Sequence, residues 1–299
     1  MVGATKKAMK ILLFGGSGQL GKTLLEQDEK NEYIAPTREE FDLETQFGVE
    51  KVFQNHSPDV VVNAAAWTDV VNAEKDRDKA FKINADGTKA IAIEAAKYGA
   101  KFIHISTDFV FDGFLKKPYL ETAKKNPISI YGESKSKGEE YLLSVYSENS
   151  YVLRTSWLYS KYRINFVKSI IGKLLDDEEP ISVVSDQIGS PTWCGDLAMA
   201  IHSIVTQSIE PGIYHFANQG NTSRSNFAEK IARLVGFAPD RIRSIQTGPE
   251  REVVRRPSYS VLSAEKFRLA TRQEIPSWEH SLENSIQEIL RQVEAERIN

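Results

Sequence analysis

Lys10-Ile-Leu-Leu-Phe-Gly15-Gly16-Ser17-Gly18-Gln19-Leu20-Gly21 joins an unbroken apolar run to glycines at 15, 18 and 21. Lys10–Phe14 reads as a strand buried on both faces, and Gln19–Asn31 as a helix directly behind it. Glycine serves three ends in such a turn: a tight bend, close approach of backbone to a pyrophosphate, and close packing of helix on strand. The helix start adds free N–H groups and a positive dipole end. The plain alternative is an ordinary strand–helix turn with extra glycines. The fitting strand and helix favour a dinucleotide cradle at Gly15, Gly18, Gln19, Leu20 and Gly21.

The same rhythm continues outward. Residues 32–36, 59–63, 101–106 and 151–154 read as further strands. Residues 45–55, 77–98 and 131–145 read as helices, with Gly99 placed for a C-cap. Alternation of this kind predicts an α/β fold, a Rossmann-type doubly wound parallel sheet covered on both faces. Beyond about Ser156 the rhythm changes. Helices are expected over 165–175, 196–205, 225–235 and 278–296, and short strands over 181–184 and 212–216. We expect a dinucleotide-binding domain over 9–157, with some later segments contributing, and a smaller, mainly substrate-binding lobe over 158–299. No Pro/Gly/Ser-rich linker separates them.

Composition narrows the class. Of 299 residues 41% are hydrophobic and 26% charged, the balance of a globular protein with a full core. The net charge of −3, with dispersed Lys and Arg, predicts neither nucleic acid nor membrane as partner. Cys194 is the single cysteine and cannot close an internal disulfide, so a reducing, cytoplasmic location is expected. No apolar run is long enough to span a bilayer. Met1–Met9 is small and basic without an apolar centre, which predicts a flexible start and no signal peptide.

Two further constellations carry chemistry. The segment closing the second strand is Ala35-Pro36-Thr37-Arg38, with no acid for a ribose hydroxyl and a guanidinium suited to a 2′-phosphate. Arg38 could equally be a solvated charge. Asp42-Leu43 is a plausible adenine contact, and small Ala64-Ala65-Ala66 would let backbone lie against a cofactor. Downstream, Ser106-Thr107-Asp108 ends a strand and Tyr131-Gly-Glu-Ser-Lys135 opens a helix. A phenol is a poor proton donor near neutrality; an ammonium one helical turn away favours its ionised form. Such spacing also arises by chance, but its position after the fourth strand makes Tyr131 and Lys135 catalytic candidates, with Thr107 donating to a substrate oxygen. His104, inside an apolar run, reads as an interior histidine. Trp157 reads as either a ligand-stacking ring or a core residue. Residues 176–179 read as a solvated acidic helix end, and no spacing resembles a transition-metal site.

Together these residues resemble the extended short-chain dehydrogenase/reductase superfamily and, within it, the dTDP-4-dehydrorhamnose reductases. The resemblance runs from about Lys10 to the last helix. The marks beyond the glycine turn are Val62-Asn63-Ala-Ala-Ala-Trp67-Thr68, Ser106-Thr107-Asp108-Phe-Val-Phe-Asp112-Gly113, Tyr131-Gly-Glu-Ser-Lys135, Arg154-Thr-Ser-Trp157, Asn165-Phe166 and Asp186-Gln-Ile-Gly-Ser-Pro-Thr192. It implies NAD(P)H-dependent reduction of the C4 ketone of dTDP-4-dehydro-L-rhamnose. It implies cofactor contacts at Gly18, Gln19, Leu20, Asp42, Leu43, Ala64, Ala65, Ala66, Tyr131 and Lys135. Substrate contacts fall at Thr107, Asp108 and Trp157, with Asn165 and Arg256 as further candidates. NADPH is the expected cofactor, NADH also usable; a dTDP-sugar is the expected partner, and a homodimer is left open. Some family members carry magnesium, but no carboxylate cluster here marks a site, and no metal is assigned. The late loop Arg256-Pro-Ser-Tyr-Ser-Val-Leu262 keeps the family spacing, while Ser263 replaces the usual Asp or Asn. Two rivals stand beside this reading. A sugar-nucleotide dehydratase or epimerase would need an Asp-Glu pair after the threonine, where Phe109 follows Asp108. A non-catalytic nucleotide-binding regulatory subunit is disfavoured by the intact Tyr131 and Lys135.

Overall fold

A computed structural model describes residues 8–28, 30–176, 178–248 and 254–298. The start expected over Met1–Met9 lies outside the described residues as far as Lys7, as does Asp177 of the acidic cluster. The first half runs β1 (Lys10–Phe14), α1 (Gln19–Gln27), β2 (Glu32–Ile34), α2 (Val49–His56), β3 (Val60–Asn63), α3 (Val70–Lys75) and α4 (Arg77–Phe81). It continues through a π-turn (Lys82–Asp86), α5 (Gly87–Tyr98), β4 (Lys101–Thr107), a 3₁₀ turn (Asp108–Val110), α6 (Ile130–Val145) and β5 (Ser150–Thr155). The second half holds β6 (Leu158–Tyr159), α7 (Phe166–Asp176), β7 (Ile181–Val184), β8 (Ile188–Gly189), β9 (Thr192–Trp193) and α8 (Cys194–Thr206). After these come β10 (Gly212–His215), β11 (Thr222–Ser223), α9 (Arg224–Leu234), β12 (Ile242–Ile245), α10 (Glu265–Thr271) and α11 (Trp278–Ile298).

Six parallel strands form the main sheet, in the order β2-β1-β3-β4-β5-β10. Strand side chains alternate between two cores. Ile11, Leu13, Val60, Val62, Ile103 and Ile105 pack with α1 and α8 on one face. Leu12, Phe14, Val61, Phe102 and Val152 pack with α2, α5 and α6 on the other. This is the doubly wound sheet that the continuous apolar strands require. The strand order reverses between β1 and β3, so a crevice opens at their carboxyl ends, where Phe14 pairs with Asn63. A third core, built from Val167, Ile171, Phe227, Ile231, Leu282 and Ile286, holds α7, α9 and α11 together in the smaller lobe. β10 comes from the second half of the chain and completes the main sheet. Among the described residues no helix is long and apolar enough to cross a membrane.

Several boundaries differ from the sequence reading, each for a local reason. The first helix stops at Gln27, because the Asp28 carboxylate accepts from the Lys30 and Asn31 backbone N–H groups and offers the chain a turn instead. The second strand ends at Ile34 rather than Pro36. The helix read over 45–55 begins only at Val49: Gln46 and Gly48 are left-handed, and Asp42 pairs with Phe47 to close a turn. The helix read over 77–98 is broken by the π-turn at 82–86.

Candidate active site

The glycine turn stands at the crevice. Gly15 has φ of +89°, and a Cβ there would lie within 2.7 Å of Ala64 and Ala65 backbone atoms. A Cβ on Gly21 would collide with the Gly15 carbonyl, and one on Gly16 would come within 2.6 Å of the Ala35 Cβ. Only glycine permits this approach of α1 to β1, β2 and the Ala64–Ala66 segment. No side chain caps α1 and no acid sits in its first turn. Its first N–H groups therefore face the crevice without a side-chain acceptor, which fits a phosphate. Leu20 and Leu43 turn their side chains into the cores, leaving only backbone toward the crevice. Gln19 Oε1 accepts from the Ser160 hydroxyl at 3.5 Å. Asp42 spends Oδ1 on the Glu44 N–H, and Arg38 is exposed in the turn after β2.

Tyr131 and Lys135 sit on the first turns of α6, whose start is capped by Ser129. The Thr107 side chain, at the end of β4, is near enough to the Tyr131 phenol to favour its ionised form. Burial pushes that phenol up to about 12; Thr107 moderates the rise and the Asp108 charge adds to it. The Lys135 amine is fully buried between the Ile105 carbonyl at 2.7 Å and His104 Nε2 at 3.2 Å. Burial pulls it down to about 8, against the opposing charge of Glu139. The expected pairing of ammonium and phenol is thus replaced, in this structure, by a lysine held from behind by β4.

Asp108 is 2% exposed. Burial raises its carboxyl to about 6, against the lowering effects of Ser260, Thr107 and Arg224. Its Oδ1 accepts from Thr107, and its buried Oδ2 has no hydrogen-bond partner. An orphaned buried oxygen beside a phenol is where a ligand hydroxyl would be worth most.

Arg224 escaped the sequence reading. It stands at the first position of α9, and its guanidinium lies 3.5 Å from the centre of the Trp157 ring. It has no ion pair among the described residues; burial and the nearby Arg256 charge both disfavour its charged form. A cation at a helix start also opposes the helix dipole, a signal legible in Ser223-Arg224 that goes unexploited without knowing the packing. Arg224 and exposed Arg256 line a cavity of about 610 Å³ with Phe166, Gln187, Thr247 and Val254. Tyr131 is not among the residues lining the cavity; Arg224 connects the cavity to the site by bearing on Asp108.

The Asp186–Thr192 segment organises this wall. Asp186 accepts from the Thr247 N–H and hydroxyl. The Gln187 carbonyl accepts from the Arg224 N–H, and Ile188 pairs with Ser258 and Ser260. A Cβ on Gly189 would strike the Trp157 indole. Trp157 itself is half-buried with φ of +46°. Asn165 stands apart: its amide donates to the Ser160 carbonyl and its Oδ1 accepts from the Lys168 N–H, a helix-capping task at α7. Among the described residues no three His, Cys, Asp or Glu side chains gather at metal-holding distance.

This geometry has close counterparts. The family model described as the RmlD substrate binding domain matches residues 9–291. The chain belongs to that family. It is 41% identical over 256 residues to the spore coat polysaccharide biosynthesis protein SpsK of Bacillus subtilis, covering 85% of this chain and 89% of SpsK. It is 34% identical to a dTDP-4-dehydrorhamnose reductase of Aggregatibacter actinomycetemcomitans, covering 92% of this chain and 97% of that one. The crystal structure of dTDP-4-dehydrorhamnose reductase from Bacillus anthracis in complex with NADP superposes with a TM-score of 0.89 at 36% identity, over 95% of this chain and all of that one.

Proposed function

We propose that this member of the RmlD family reduces the C4 ketone of dTDP-4-dehydro-L-rhamnose to dTDP-L-rhamnose, a step in the supply of rhamnose for cell-surface polysaccharide. The observation that carries the reading is the join between two half-sites. The orphaned carboxylate oxygen belongs to Asp108, whose charge bears on the Tyr131 phenol, and Arg224, which lines the Arg224/Arg256 cavity, bears on the same Asp108. A deoxysugar reaches the first, and its nucleoside diphosphate the second, where two guanidinium groups await an anion. Trp157 forms the floor between them, backing Arg224 with its ring face.

The chain's own residues do the following. Tyr131 gives its proton to the C4 oxygen, and Thr107 hydrogen-bonds the same oxygen as charge develops there. Asp108 Oδ2 accepts from a sugar hydroxyl. The first turn of α1 holds a pyrophosphate, Arg38 meets a 2′-phosphate, and the Ala64–Ala66 backbone lies along the cofactor. When bound, NADPH supplies the hydride to C4. Phe109 after Asp108 leaves no Asp-Glu pair for dehydration.

The deciding experiment incubates the protein with dTDP-4-dehydro-L-rhamnose and follows loss of NADPH absorbance alongside formation of dTDP-L-rhamnose. NADPH should be preferred over NADH, with both consumed. No consumption with this substrate would end the reading. An unchanged ratio of the two cofactor efficiencies in Arg38→Ala would remove Arg38 from it.

A further inference from the structure

His215 of β10 is fully buried and pairs in the sheet with Arg154 of β5. Arg154 Nη1 lies 3.3 Å from His215 Nε2, and the Tyr119 carbonyl oxygen lies 3.1 Å from Nδ1. A guanidinium only donates, so Nε2 is the bare nitrogen. A carbonyl only accepts, so Nδ1 carries the proton. Two neighbours that cannot exchange roles thus choose the same neutral tautomer. A second ring proton, on Nε2, would face the guanidinium donor against donor. Burial pulls the ring down to about 3; the Arg154 and Lys266 charges act the same way, against Tyr119 and Glu139.

Both ends of this bridge are anchored. Arg154 is gripped by Glu139 of α6, through Nε at 2.8 Å and Nη2 at 2.7 Å, and α6 carries Tyr131 and Lys135. At the other end the Tyr119 backbone pairs with the loop over 256–262. Its N–H donates to the Val261 carbonyl, and its carbonyl accepts from the Ser263 N–H, each at 2.8 Å. Phe111 stands edge-on to His215 and stacks on the Tyr119 ring, filling the angle between them. Ile188 pairs with Tyr259 of the same loop. The packing leaves no slack: a Cβ on Gly113 would lie 2.6 Å from the Ser258 nitrogen. The loop so held carries Arg256 at the cavity wall, and Ser260, which favours the ionised form of Asp108.

We propose that His215 is a positioning residue for the sugar nucleotide: its Nδ1–H holds the Tyr119 carbonyl, and so fixes the Arg256–Leu262 loop relative to the helix that carries Tyr131. His215 lines no part of the cavity and acts only through Tyr119. The inference rests on the reading of the Arg224/Arg256 cavity as the nucleoside diphosphate site. Without the Nδ1–H the loop is held to the sheet less firmly at Arg256 and at Ser260. The substrate is then gripped less tightly, while the glycine turn of α1, on the other side of the sheet's crevice, keeps its own contacts.

Two variants of the full chain test it. His215→Asn places an amide N–H where Nδ1–H stood and keeps a donor for Tyr119. His215→Gln reaches the place of Nε2 instead and leaves Tyr119 without that donor. His215→Gln should raise KM for the sugar nucleotide by about fivefold or more, the worth of one net hydrogen bond. Its kcat and NADPH affinity should stay close to wild type, and His215→Asn should restore KM. A merely structural histidine would lower the melting temperature in both variants and separate neither KM from kcat nor Asn from Gln. In wild-type protein with ¹⁵N-labelled histidine, His215 should show a protonated Nδ1 and a bare Nε2 throughout the neutral range. Its Nδ1–H resonance should shift as dTDP fills the cavity. An Nε2–H tautomer, an unchanged KM in His215→Gln, or equal KM values in the two variants overturns the proposal. If neither variant folds, the dTDP titration of the wild type decides, and an unmoved resonance at saturation overturns it. Wild-type protein that neither binds dTDP nor consumes the sugar nucleotide would sink the reading of the cavity itself, a failure distinct from these.

Discussion

In the proposed reaction, Tyr131 is the residue on which turnover depends most directly. Removing its hydroxyl leaves the α6 packing and the crevice intact, while the C4 oxygen loses its proton donor. Tyr131→Phe should lower turnover by a factor on the order of 10² or more and leave NADPH affinity, read by fluorescence titration, close to wild type. Asp108 makes the opposite trade. Its folded pKa of about 6 lies above the ordinary aspartate value of 3.8, so its ionised form is a cost to the folded protein. That cost is fully present above the folded pKa and fades as pH falls from 6 toward the unfolded value. Asp108→Asn should therefore stabilise the ligand-free protein by on the order of 1–3 kcal/mol at pH 8, and progressively less below pH 6. Thermal melts across pH check this, and kcat/KM for the sugar nucleotide should fall in the same variant. Trp157 sits between Arg224 and Gly189. Trp157→Ala should raise KM for the sugar nucleotide, with NADPH affinity unchanged. A loss of roughly 3–5 kcal/mol of stability with unaltered kinetics would make it a core residue instead.

At the scale of elements, the placing of α6 matters most, because it carries both Tyr131 and Lys135. Glu139 on that helix is 0% exposed and receives Arg154 of β5 through Nε at 2.8 Å and Nη2 at 2.7 Å. Ser106 of β4 and Lys125 bond the same carboxylate, and Arg154 reaches His215 of β10 at 3.3 Å. The helix is thus pinned to three adjacent strands of the sheet. Burial opposes the Glu139 charge, but Arg154 and Lys125 hold the carboxyl below its usual range. The group therefore adds stability above the ordinary carboxylate pKa, and that contribution is lost as pH falls through the depressed value. Glu139→Gln leaves a guanidinium buried without its partner, at a cost of about 3–5 kcal/mol in urea unfolding. The π-turn between α4 and α5 works on the same helix from the other side. It aims Asn84 at Ser134 and at the Trp67 backbone, which a straight helix over 77–98 would not do.

At the scale of the molecule, the division near residue 157 is, in our proposal, one of labour rather than of stability. β10 from the second half closes the main sheet, and α8 packs against α1. Asp196 of α8 accepts from Asn218 at 2.6 Å and Ser281 of α11 at 2.5 Å, tying the lobe to both. Heat should unfold the two parts together: far-ultraviolet dichroism and tryptophan fluorescence should share one midpoint, and separated midpoints would make them independent domains. The sequence by itself determined the winding of the sheet, since apolar strands alternating with amphipathic helices have no other way to bury both faces. It also determined the glycine turn and the turn of helix shared by Tyr131 and Lys135, because both are local patterns set by the geometry of a few adjacent residues. Only the tertiary structure decided that Lys135 faces His104, that Asn165 caps a helix, and that Arg224 stacks on the Trp157 ring. Those outcomes rest on contacts between residues tens of positions apart, where burial and competition for each donor and acceptor, not spacing along the chain, choose the partner.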